Sequence, residues 1–250
     1  MEIIQAPPPE ERLGPDDRFN FACNRSLACF NSCCRGKRLP LTPYDVLRLK
    51  QGLGLHSDEF LARYALYVRD PATGFPHIVL KMGEDEQRRC PFVGREGCTV
   101  YEDRPTACRL YPLGRASTRA RGGGAVDALF FLPDTPRCLG RERRESWTVR
   151  EWCGNQGLSP YFEMNDRMLD LVFHPAGEGA PPLGPGQLQK VMVALYNVDV
   201  FREFVRTPAF QDRFGAEMQG TARAIRQDEA LLDLGFEFLN RTLFEGEGSR

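Results

Sequence analysis

Cys23, Cys29, Cys33 and Cys34 fall within twelve residues, separated by five, three and no intervening positions. Thiolates gathered this closely are soft ligands, suited to zinc or to the irons of an iron–sulfur cluster. A second group, Cys90, Cys98 and Cys108, follows after a helical spacer, and Cys138 lies further on. Eight sulfurs are therefore available for one polynuclear site or for two separate ones. Isolated cysteines commonly fill cores as small apolar residues, but core filling does not place four within twelve positions. The ninth, Cys153, lies in a helical pattern beside Trp152 and reads as that kind of core thiol. An odd count and a reducing compartment both argue against a disulfide framework.

Adjacent side chains such as Cys33 and Cys34 point in different directions on an extended or helical backbone, so the two are expected to serve different metals or different corners of one cluster. A structural zinc takes four ligands, and eight cysteines complete two such sites. Each four-thiolate centre would carry net negative charge, and Arg35, Lys37, Arg38, Arg88, Arg89, Arg109 and Arg137 stand beside the cysteines in sequence to offset it. A [4Fe–4S] cluster needs four thiolates as well, leaving four for a second cluster or a zinc. Neither a C-x2-C-x2-C run nor paired C-x2-C knuckles is present, so the spacing leaves zinc or iron open. His56, His77 and His174 lie outside any ligand pattern.

The chain has 250 residues, enough for a proper core without metal, and a formal charge of -1. That balance offers no global attraction to nucleic acid, and the basic runs are short. No stretch reaches the roughly 18 apolar residues of a spanning helix, and the opening residues lack a positive start followed by an apolar run. The expected partner is a metal ion, with neither nucleic acid nor membrane, in the cytoplasm.

The elements that must position the sulfurs can be read in order. Residues 1–18, with Pro7-Pro8-Pro9 and paired acids, read as a disordered tail. Thr42-Pro43-Tyr44-Asp45 starts a helix that Gly52 is expected to end, and Ser57-Asp58-Glu59 starts a second that is expected to run to Pro71. Phe75 to Met82 is strand-like. Pro105 favours a short helix that carries Cys108 about one turn in and stops at Pro112, with Cys98 on the preceding turn. Residues 110–116 and 128–132 pair as strands around the loop Arg121 to Gly124. Thr148 to Glu151 fits a capping box, Ser159-Pro160 starts the next helix, and helical patterns continue past a loop at 174–184, with further starts at Thr207-Pro208 and Asp228-Glu229.

The run Cys29-x3-Cys33-Cys34, then Leu41-Thr42-Pro43-Tyr44-Asp45, Cys90-Pro91-Phe92, Cys98-Thr99-Val100-Tyr101, Arg104-Pro105 and Cys108-Arg109-Leu110-Tyr111-Pro112, resembles the YkgJ-type cysteine cluster family, over roughly residues 19–113. Five residues separate Cys23 from Cys29, wider than the family's CxxCxxCC pattern. The resemblance implies chelation of zinc or iron. Flagellin lysine N-methylases share this cysteine domain, which implies as an alternative an iron–sulfur-dependent enzyme such as a protein lysine N-methyltransferase. No glycine-rich loop after a strand and no C-x3-C-x2-C run accompanies it. Tyr101, Arg104, Arg109 and Tyr111, beside the expected ligands, could contact a substrate or simply pack.

The expected architecture is thus α+β and predominantly α. An irregular, metal-stapled cysteine domain at 19–157, with short helices and a small antiparallel β element, is followed by a helical region at 158–250 that packs on it or binds a protein partner.

Overall fold

The computed structural model describes residues 8, 11–71, 73–119, 125–135, 137–177, 181–214 and 221–244. Helix outweighs strand, and the strands form small antiparallel sheets, as expected for an α+β chain with a helical second half.

Helix Pro43–Leu53 is the central beam, because its two ends hold different parts of the molecule. At its start Thr42 Oγ1 accepts from the Asp45 N–H and the Asp45 carboxylate accepts from the Thr42 N–H, a reciprocal box with Pro43 in the first turn. It continues one residue past Gly52, which lies beneath the Asp103 carboxylate; a Cβ at position 52 would come within 2.3 Å of that group. Gly54, at φ 64°, ends the helix instead. Its sides pack on helices Ser159–Val172 and Asp228–Phe244 and on the π turn Met192–Tyr196.

The second helix, Ser57–Tyr64, stops seven residues short of Pro71. Ala65–Arg69 is a strand instead, paired antiparallel with Pro76–Leu80, whose other edge takes Pro40–Leu41. Tyr67 and Val68 favour the pleated backbone, and Asp70 closes the turn by accepting from the Thr73 N–H at 2.8 Å. Local helical spacing was outweighed by pairing with partners 7 to 15 residues on.

Two strands pair here, but at Gly114–Arg119 and Val126–Phe131 rather than 110–116 and 128–132, because Leu110 still belongs to a helix; the loop at 121–124 lies outside the described residues. The expected tail is corrected from residue 12 onward: Arg12–Leu13 pairs with Val126–Phe131, and Arg18–Asn20 pairs with Ser146–Thr148. Residues 1–7 and 9–10 lie outside the described residues. Thr148 and Glu151 form the second capping box, at the head of helix Val149–Asn155. One hydrophobic cluster runs from Phe19 through Leu47, Leu158, Leu195 and Phe201 to Leu239, and it includes residues on both sides of position 157.

A polar clamp pins the far end of the beam. Lys50 Nζ reaches Asp199 at 3.0 Å and Asp228 at 2.8 Å, Arg202 pairs with both carboxylates, and Asp199 also accepts from the Ser57 N–H at 2.8 Å. Burial pushes both acids up, but the Ser57 N–H, Lys50 and Arg202 outweigh it, and both end below the usual carboxylate range. Carboxylates lowered on folding stabilise the fold above their unfolded value of about 4, and that contribution is lost as pH falls through the folded value. Stability measured by urea unfolding should therefore drop on acidification below about pH 4. Lys50→Met should cost about 3 kcal/mol at neutral pH, because two buried carboxylates would share one cation. It should also flatten the acid dependence, and an unchanged pH profile would contradict the clamp.

Candidate metal centre

The twelve-residue cysteine run is coiled by consecutive turns: Leu27 N–H bonds Asn24 O, Phe30 bonds Leu27, Ser32 bonds Cys29 and Cys34 bonds Asn31, at 2.9–3.2 Å. Asn31, at φ 65°, precedes the single turn Ser32–Cys34 and donates to Gly94 O at 3.3 Å. The expectation that Cys33 and Cys34 diverge is corrected here, since this turn leaves their sulfurs 4.0 Å apart.

The backbone then carries the run to the second group. Cys90 N–H bonds Cys34 O at 2.8 Å, and Gly36 N–H bonds Arg88 O at 3.0 Å, zipping 34–36 against 88–90. Val93 N–H bonds Cys90 O, and the hairpin Val93–Gly94 with Gly97–Cys98 brings Cys98 back opposite Val93. The backbone N–H groups of Phe92 and Val100, each two residues past a cysteine, donate to the sulfurs of Cys90 and Cys98. Such N–H donors stabilise a thiolate and orient it as a ligand.

Cys108 is delivered by helix Thr106–Leu110, which follows Pro105 as expected. Five residues cannot hold themselves as a helix. Asp45 holds them: one carboxylate oxygen accepts from the Thr106 N–H and from Thr106 Oγ1, both at 2.7 Å, while the other accepts from the Thr42 N–H at 2.9 Å. Burial raises this carboxyl, and its hydrogen bonds with Thr106 and Thr42 in part oppose that. Trp152 ties the far end, donating to Leu110 O at 3.0 Å while its ring packs edge-on against Phe21, two residues before Cys23. Cys138 comes alongside Cys23 because Ala22 N–H bonds Gly140 O at 3.0 Å. That approach requires Gly140, where a Cβ would come within 2.7 Å of Ala22 O.

All nine cysteines are free thiols, and the charge of at least one other cysteine acts on each of Cys23, Cys34, Cys90, Cys98 and Cys108. Burial, then the charges of Cys33, Cys29 and Cys138, push Cys23 up. Burial, then Cys90, Asp45, Cys98 and Cys33, push Cys108 up to about 12, although the residue keeps one side open to solvent. Cys33 and Cys34 share a proton, which lowers Cys33 and raises Cys34. Cys153 stands apart, packed against the core and pushed up to about 11 by burial. Among the described residues, no three His, Cys, Asp or Glu side chains stand already arranged to hold a metal ion. The backbone gathers the sulfurs; it does not close them on a point. Their chemistry fits zinc or iron, being soft donors that are free, clustered and in part pre-bonded by N–H groups.

Residues 22–138 match the CxxCxxCC family model, described as "Putative zinc- or iron-chelating domain". The match spans 117 of the 250 residues, and over that length the chain is similar to a CxxCxxCC domain. The domain begins one residue before Cys23 and ends on Cys138, beyond the expected limit near residue 113; it takes in the eight gathered cysteines and leaves Cys153 outside. The match carries no link to flagellin lysine N-methylases. No curated protein and no solved structure matches the chain.

Charged neighbours of the domain's sulfurs differ from those expected. Lys37 acts on Cys33 as anticipated. Arg109 instead donates to the carbonyls of Arg104, Gln156 and Glu102 and covers the Tyr161 ring, so its work is to hold the 102–108 corner. Arg104, read as a possible substrate contact, acts on both Cys23 and Cys98; it stacks on Tyr101 at 3.7 Å and bonds Gln156, with its Nε buried and without a partner. Tyr111 bonds Cys138. His56 bonds Asp58, His77 lies in strand Pro76–Leu80 and His174 stacks on Phe244.

Asp45→Ala should destabilise the protein by about 2–4 kcal/mol, combining a lost helix cap with a partly buried Thr106 N–H left unpartnered. Asp45→Asn should also destabilise, because the Asn NH₂ would meet a donor. Chemical denaturation measures both; the Cys108 thiol should also label faster in each variant.

Proposed function

We propose that this is a cytoplasmic metal-chelating protein in which Cys23, Cys29, Cys33, Cys34, Cys90, Cys98, Cys108 and Cys138 hold zinc or iron and thereby lock the cysteine domain. The observation that carries this reading is the gathering of these eight thiols, from five separate backbone segments, within reach of one another's charge.

The physical reasoning runs through the proton. Burial and mutual repulsion keep most of these thiols protonated at neutral pH, whereas a metal ligand must be a thiolate. Coordination by these residues would relieve the repulsion, with the thiol protons passing to solvent, and would cross-link the segments that carry them. The N–H donors at Cys90 and Cys98 and the charges of Arg104 and Lys37 then stabilise the anionic thiolate shell. The metal supplies cross-linking when it is zinc and adds one-electron chemistry when it is an iron–sulfur cluster. Tyr101 is exposed beside Arg104, and a protein partner for the helical region remains part of this proposal.

Cys34→Ser is the direct test, combined with metal analysis and an absorption spectrum on protein purified without oxygen. The substitution should lower both metal content and melting temperature, and full metal occupancy with unchanged melting would sink the reading. A colourless zinc protein and a brown iron protein with acid-labile sulfide are the two forms it allows. Metal titration of the reduced, metal-free protein in weak buffer should release protons, and apparent affinity should fall as pH is lowered through the thiol range.

A further inference from the structure

Cys33 and Cys34 are the one pair of cysteines among the described residues whose sulfurs touch, 4.0 Å apart. Their turn, Ser32–Cys34, holds no buried residue; Cys33 is exposed and Cys34 half-buried. The turn is pinned at both ends. Before it, Asn31 takes φ 65° and donates to Gly94 O at 3.3 Å, and its own carbonyl accepts from the Cys34 N–H at 3.1 Å. After it, Cys34 O accepts from the Cys90 N–H at 2.8 Å, and Gly36 N–H donates to Arg88 O at 3.0 Å. A backbone tied in this way keeps the two sulfurs close, and side-chain rotation alone separates them from the roughly 2.05 Å of a bond. The same zipper sets Arg35 opposite Arg89. Asp85 answers Arg89 at 3.8 Å, whereas Arg35, Lys37, Arg38 and Arg88, all exposed, have no ion pair among the described residues. The lip of the turn is therefore cationic, and an exposed thiol in such surroundings is one that a small anionic oxidant reaches.

We propose that Cys33 and Cys34 form a redox-active dithiol, which a small anionic disulfide of the glutathione type oxidises to a disulfide within the turn. Cys33, the exposed sulfur, attacks first: it bonds one sulfur of the oxidant, the oxidant's own S–S bond breaks, and the first small thiol leaves with a proton. Cys34 then attacks the Cys33 sulfur, and the second small thiol leaves with the other proton. Two protein thiols lose two electrons and two protons, and one small disulfide gains them. Adjacent Cα atoms stand about 3.8 Å apart, below the roughly 4.4–6.8 Å of ordinary disulfides, so the ring formed is strained and easily reduced. That makes it a labile, reversible bond, formed when the small disulfide accumulates and opened when the small thiol returns. The bond needs only these two thiols and stands apart from the chelating function; where metal is bound as well, the two compete for the same sulfurs.

The test is graded treatment of reduced, chelator-stripped full-length protein with glutathione disulfide, followed by alkylation and mass spectrometry of the tryptic peptide from Ser26 to Arg35. That peptide is expected to lose two hydrogens, with Cys29 still alkylated and Cys33 and Cys34 protected, and to regain both thiols in excess reduced glutathione. The bond should form at least several-fold faster in the folded protein than in urea. Cys34→Ser should stop at a mixed disulfide on Cys33, as should Cys23 and Cys108, which are exposed but have no touching sulfur. A bond from Cys33 to Cys29 or to another segment, a lasting mixed disulfide on Cys33 of the unaltered protein, or equal rates in folded and unfolded chains would overturn the proposal. The metal content of the untreated protein tests the chelating function separately, because the disulfide uses no metal.

Discussion

Repulsion among clustered thiolates is the constraint on which the molecule turns. Eight sulfurs held in one region cannot all ionise without a cation among them, and they cannot all stay protonated and still bind one. The fold meets this by spending backbone hydrogen bonds rather than side-chain contacts. Cys90 is zipped to Cys34, Cys98 is returned by a tight hairpin, and Ala22 is drawn against Gly140. No disulfide closes the cluster, so its closure is left to whatever occupies it.

Rigidity comes from helix Pro43–Leu53, whose start and end do different work. Asp45 at the start caps its own helix and the Cys108 helix with one carboxylate. Lys50 near the end joins Asp199 and Asp228 from the helical half. The cysteine region and the helical half are therefore coupled through about one and a half turns of a single element. Trp152 adds a second tie, linking the backbone before Cys23 to the backbone after Cys108.

What was legible in the sequence was local. The boxes Thr42/Asp45 and Thr148/Glu151 and the helix start at Pro105 all depend on residues a few positions apart. Non-local features were hidden. Ala65–Arg69 kept helical spacing but found a strand partner, and Lys50 meets a carboxylate 149 positions away. The N–H donors of Phe92 and Val100 belong to any residue type and leave no mark in a sequence, although the Cys90-Pro91-Phe92 and Cys98-Thr99-Val100 spacing is where to look for them. Arg104 was visible beside Pro105, but its action on both Cys23 and Cys98 depends on how those distant residues fold together.

The most direct measurement of the central claim is a count of reactive thiols on anaerobically purified native protein, before and after a strong chelator, with zinc and iron assayed on the same sample. The account predicts bound metal, a native protein in which the eight clustered thiols are protected, and their release together with the metal. A metal-free protein whose clustered thiols react freely, with chelator changing neither their number nor the melting temperature, would contradict it.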